Sequence, residues 1–163
     1  MVSERTKQQA IDALNGMATI VRAEMIERGE YVSEELVNPN RVGQICGGHR
    51  ACAVGSLWLG GGIKPDIEKK AGVEIWVDLP GTSPGEREDF LRPRHGLRTA
   101  YEALNDAATS YMARHHIARE YMSDWAREFD APIESLFEDE IIGLSKKDLL
   151  GIIKSAKERV RRA

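Results

Sequence analysis

The chain has 163 residues, 42% of them hydrophobic and 30% charged, with a formal net charge of −3. That is the composition of a globular domain long enough to bury a core without disulfide staples, and its acidic balance excludes a protein that coats nucleic acid through bulk positive charge. No run approaches the roughly 18 apolar residues of a membrane span, and the polar start MVSERTKQQAIDALNG lacks the apolar segment of a secretory signal, so neither is expected.

In chain order, residues 3–28 predict the first helix. Ala10, Leu14, Met17, Val21 and Met25 recur three and four apart and share one face. Ser3 is its N-cap and Gly29 its stop, and Gly16 is an internal cost. Residues 29–50 form a glycine-rich turn region around Asn38-Pro39-Asn40 and Gly43, Gly47 and Gly48. Residues 51–59 predict a buried helix of small residues, closed by Gly60-Gly61-Gly62. Ala51, Ala53, Gly55 and Ser56 let another helix come close; the long helix carrying Tyr101 and Leu104 is the natural partner, with the buried helix wedged between it and the first helix.

Pro65 to Ala71 reads as one or two helical turns stopped by Gly72. Residues 73–79 alternate apolar and polar and form the strand candidate, with a partner expected around Tyr31 to Val37. Ser83, Pro84 and Glu86 carry cap, first-position and capping-box signals for a helix that ends near Pro93. Residues 84–130 are thus a long helical region; from 94 to about 130 the pattern is helical again, with Leu97, Tyr101, Leu104, Ala108, Tyr111 and Met112 on one side, and one bent helix and two helices joined near His115 are both open. Asp130-Ala131-Pro132 punctuates before a short helix to about Asp139. The last helix, 145–162, opens on Ser145 and Asp148, with Leu144 and Leu149 stapled across the cap and Ile152, Ile153, Ala156 and Val160 continuing the face. Its terminal Lys157, Arg159, Arg161 and Arg162 suit the helix dipole. The fold class is therefore mainly α: a single domain, 1–163, of about six helices around a central small-residue helix, with at most one short β pairing.

The stretch ICGGHRACAVGSLWLGGG gathers both cysteines, one histidine and six glycines. Cys46, His49 and Cys52 have the spacing of three zinc ligands, with a fourth needed from elsewhere. Cys52, near a helix start, is the candidate nucleophile with His49 as base, against the plainer reading of a small core residue. Gly47, Gly48 and Arg50 would suit an anion at that helix start. Asn105 and Asp106 interrupt the long helix as a solvated or bending pair, or as a helix cap or ligand contact.

The run Cys52-Ala53-Val54-Gly55-Ser56-Leu57, with the later Asn105-Asp106, resembles a group of small proteins of actinobacteria and their phages. The resemblance implies a helical fold and such an origin, and no particular activity. The chain departs from the group in its long segment after Asp106.

No catalytic constellation dominates. The expected function is an intracellular binding or regulatory protein, phage-encoded and acting on a host protein, more a non-enzyme than an enzyme. Two alternatives stand beside it. One is a thiol-dependent enzyme or anion or nucleotide binder centred on Cys52, His49 and Arg50; the other is a structural zinc site on Cys46, His49 and Cys52. No cofactor is expected apart from that zinc option. The partner is a protein or a second copy of the chain, met near Trp76, Trp125 or the last helix. A membrane is not expected, nor is nonspecific nucleic-acid binding. Free thiols and the absence of an export signal point to the cytoplasm.

Overall fold

The apolar periods read in the sequence become buried faces. In the computed structural model, which describes residues 1–22, 53–64, 66–70, 74–118, 120, 132–138 and 144–163, the protein is mainly α. The described helices are α1 (Glu4–Arg22), α2 (Ala53–Gly60), α3 (Pro84–Leu91), α4 (His95–Arg114), α5 (Pro132–Glu138) and α6 (Lys146–Arg162). Strands β1 (Asp66–Lys70) and β2 (Glu74–Asp78) form one antiparallel ladder. No helix among the described residues is long and apolar enough to cross a membrane.

Helix α1 packs against α2, α4 and α6, and α4 packs against α6. Its inward stripe Ala10, Leu14, Met17 and Val21 is at most 1% exposed. Ser3 caps it, its Oγ accepting from the Thr6 N–H at 3.1 Å. At the other end the Lys146 ammonium donates to the Arg22 carbonyl at 2.8 Å, a cation where the helix dipole is negative. From α6 the residues Leu149, Ile152, Ile153, Ala156 and Val160 are buried against this bundle. The apolar face of the last helix is therefore spent inside the molecule.

Helix α2 is buried along its length, Ala53 to Leu59. The sequence placed it between the first helix and the long helix, and its closest backbone approach is to α1. A Cβ on Gly16 would stand 2.5 Å from the Gly60 Cα, and one on Gly60 would stand 2.4 Å from the Met17 nitrogen. Gly16 is thus the crossing point of α1 and α2. The long helix α4 meets α2 by side chain, with the Tyr101 ring edge-on to Trp58 at 5.7 Å between centroids.

Two local expectations need correction. Residues 66–70 form a strand rather than helical turns, and they pair with β2, from Asp66 opposite Asp78 to Lys70 opposite Glu74; the partner expected around residues 31–37 lies outside the described residues. DIEKK has poor strand propensity, but the ladder supplies partners for its backbone groups that a one-turn helix could not. Ser83 occupies the N-cap of α3 with Pro84 in the first turn, yet its side chain makes no cap hydrogen bond, so the expected capping box with Glu86 does not form there. The Glu86 N–H donates to the Ser83 carbonyl at 3.0 Å instead.

The capping box of α6 does form. Ser145 Oγ accepts from the Asp148 N–H at 3.1 Å and donates to the Asp148 carboxylate at 2.8 Å. That hydrogen bond from Ser145 holds the Asp148 carboxyl below its ordinary range. A carboxyl depressed by folding stabilises the fold above its unfolded pKa of about 4, and this is lost as pH falls through the folded value. Ser145→Ala is expected to lower stability by about 1 kcal/mol in urea at neutral pH. It should also flatten the acid limb of the stability profile; an unchanged acid limb would show that the pair is not made in solution.

Helix α4 ends at Arg114 with His115 as its C-cap, where the sequence placed the junction of two helices; residues 121–131 lie outside the described residues. His116 takes a left-handed φ of 55°. The Ile117 N–H bonds back to the Met112 carbonyl at 2.8 Å, and the His116 N–H to Ala113 at 3.3 Å. This is the Schellman closure, with histidine where glycine is usual. His116→Gly is expected to stabilise the protein by about 0.5–1 kcal/mol, and His116→Val to destabilise it, because a β-branched residue tolerates that region worst. Urea unfolding of the two variants checks the sign.

Candidate interaction groove

The polar residues of the interior are occupied by the fold. Arg87 of α3 and Glu134 of α5 form an ion pair whose members are 5% and 2% exposed. The Arg87 guanidinium also donates to the Tyr101 hydroxyl at 2.9 Å and to the Thr82 carbonyl. Burial alone would lower the pKa of Arg87, but the charge of Glu134 and its other partners outweigh this and hold it above its ordinary value. Burial likewise pushes the Tyr101 hydroxyl up, with the Arg87 charge acting against it. Above this pair Trp58 donates its indole N–H to the Pro80 carbonyl at 2.9 Å and stacks on Phe90 at 5.8 Å. The cluster ties α2, α3, α4 and α5 together. Nothing in PGEREDFL distinguishes the buried Arg87 from the exposed Arg92, so sequence reasoning missed it.

Asn105 and Asp106 part company. Asn105 is 9% exposed, and its Oδ1 accepts from the Ile133 N–H at 3.2 Å, in the first turn of α5. It satisfies from a neighbouring helix a donor that α5 cannot satisfy itself. Asp106 is exposed. Cys46, Gly47, Gly48, His49, Arg50 and Cys52 lie outside the described residues, as do Trp125 and the side chain of Trp76. Among the described residues no cluster of three His, Cys, Asp or Glu could hold a metal ion.

Two concave surfaces stand out among the described residues. A cleft of about 630 Å³ lies between α1, the end of α2 and the start of α4. Of the two arginines that line it, Arg94 is engaged, donating to the Phe90 carbonyl at 2.8 Å and lying 4.1 Å from the Phe90 ring centroid, and Arg5 is exposed. The second, of about 560 Å³, runs between the C-terminal end of α4 and the outer face of α6.

This second groove is assembled by helix period. Lys147, Gly151, Lys154 and Glu158 fall on one stripe of α6, and Tyr111, Arg114 and His115 face them from α4. Tyr111 stacks on His115 with centroids 4.1 Å apart and bonds Asp148 through its hydroxyl. Burial, then the charge of Asp148, raises the Tyr111 hydroxyl. The walls are pinned: Arg159 donates to Ser110 Oγ at 2.6 Å and Lys157 to Asn15 Oδ1 at 3.1 Å. Arg114, Lys147 and Lys154 are exposed and meet no acidic partner among the described residues.

Comparison with protein-family models, curated proteins and solved structures found no match. The reading of the groove therefore rests on its own geometry.

Gly151 stands in the middle of the groove. It is exposed, and a Cβ there would meet nothing within 4 Å. Glycine inside a helix costs about 1 kcal/mol relative to alanine. Gly16, Gly60 and Gly96 each have a neighbour that would collide with a Cβ. Gly85 sits in the first turn of α3 beside Pro84. Gly151 has no such reason within the fold. The sequence signal was present in KKDLLGIIKS, a glycine on the polar stripe between lysines, but it reads as an ordinary solvated face until α4 is placed opposite.

Proposed function

We propose that the chain is a binding or regulatory protein rather than an enzyme, phage-encoded and acting in the cytoplasm on a host protein. One observation carries this reading. The interior ionisable groups Arg87, Glu134 and Tyr101 are consumed in holding helices together, whereas the α4–α6 groove presents cations that no acid meets among the described residues. A pinned wall with unspent charge is a recognition surface: its charges select and orient a partner. The resemblance of Cys52 to Leu57 and Asn105-Asp106 to actinobacterial and phage proteins supports the source. The proposal needs no cofactor.

Affinity capture with the whole chain from actinobacterial lysate, followed by calorimetry with the purified partner, tests it. One host protein bound in fixed proportion is the expected result, or a defined homo-oligomer whose copies are each other's partner. A monomer that captures nothing refutes the reading.

A further inference from the structure

We propose that the α4–α6 groove seats an extended acidic segment of a partner protein, its backbone lying over Gly151 and its carboxylates meeting Arg114, Lys147 and Lys154. This rests on the binding reading above and names the chemistry of the partner. The first support is charge. These three cations stand exposed on a chain of net charge −3 and are unpaired among the described residues. Of the two carboxylates that line the groove, Asp148 is already held by Ser145 and Tyr111, and Glu158 makes no ion pair with these cations among the described residues. Lys157 and Arg159, on the adjoining face of α6, are bonded to Asn15 and Ser110. On that helix Lys146, Lys157 and Arg159 are thus used by the fold, whereas Lys147 and Lys154 stand in the groove.

The second support is independent of charge. Gly151 gives up helix stability and gains no internal contact. Its lack of a side chain lets a second backbone approach the helix where any other residue would hold it away. The Tyr111 ring, stacked on His115, walls the same groove and offers an apolar surface to the segment's uncharged side chains. A nucleic acid is the poorer fit: Glu158 shares the stripe with Lys147 and Lys154, and a phosphate backbone needs a broader basic face.

The test is fluorescence anisotropy of fluorescein-labelled polyglutamate with the whole chain. Binding is expected at low salt and should weaken as salt rises. Lys147→Glu/Lys154→Glu should weaken it about tenfold or more. Gly151→Leu should weaken it by a similar factor while melting at or above the wild-type temperature, which separates occlusion of the groove from damage to the fold. Absent binding, or binding equal in wild type and both variants, overturns the proposal. So does a labelled DNA duplex that binds more tightly than polyglutamate with the same dependence on the variants. A host protein captured equally well by wild type and by Lys147→Glu/Lys154→Glu leaves the binding function standing and removes it from this groove.

Discussion

Glu134→Ala is expected to cost about 3–5 kcal/mol of stability, because it leaves the Arg87 guanidinium buried without its counter-charge. Arg87 is 5% exposed and its Nε has no hydrogen-bond partner, so the loss cannot be made good locally. The Tyr101 hydroxyl and the Thr82 carbonyl would still contact the cation, but neither carries an ordinary negative charge. The double variant Arg87→Met/Glu134→Leu should recover most of the loss, since the cost lies in one unpaired charge rather than in the pair's net contribution. Trp58, stacked on Phe90 beside this cluster, is a fluorescent reporter for urea unfolding of all three proteins. A loss under about 1 kcal/mol for Glu134→Ala would show that water reaches the pair in solution.

The second large effect comes from a single change made at two glycines. Gly16→Ala is expected to destabilise by about 3 kcal/mol or more, and Gly151→Ala to stabilise by about 0.5–1 kcal/mol. Helix propensity favours alanine equally at both sites. At Gly16 the new Cβ would fall 2.5 Å from the Gly60 Cα and 2.5 Å from its carbonyl oxygen. Those are backbone atoms, so no side-chain rotation relieves the clash and α1 must separate from α2. At Gly151 there is open space. In thermal unfolding, the gain at Gly151 corresponds to a rise of about 1–4 °C for a protein of this size. Equal signs at the two positions would contradict the crossing of α1 and α2 at Gly16.

The parts of the fold that were legible from sequence were those whose signal is local. The face Ala10, Leu14, Met17 and Val21 of α1 and the face Ile152, Ile153, Ala156 and Val160 of α6 were read from spacing, and both are buried. The cap at Ser145 with Asp148 was read from four adjacent residues and forms. Ser83, with equally good letters, makes no side-chain cap. The difference is that composition names a capable residue but does not fix the rotamer. The strand 74–78 was visible as alternation, whereas its partner 66–70 was not, because DIEKK carries no period of its own and is a strand only through its neighbour.

The same division holds for the candidate groove. Lys147, Gly151 and Lys154 could be placed on one face of a helix by arithmetic. That Arg114 and the stacked Tyr111–His115 pair stand across from them depends on how α4 and α6 cross. Asn105 is the sharpest instance. Its position inside a long helix suggested a solvated pair, a bend, a ligand contact or a cap for the buried helix; the helix it caps is α5, reached across 28 positions in the chain.

What the sequence determined by itself is the mainly helical class, the inward faces of α1, α4 and α6, and the punctuation at Ser145 and Pro132. Each depends on interactions within a few residues, which the order of the letters specifies. Only the tertiary structure decided that Gly16 opposes Gly60, that Arg87 finds Glu134, and that Gly151 faces an open, basic groove. Those outcomes turn on distances between helices, and the same residue, glycine or arginine, serves opposite purposes according to what packs against it.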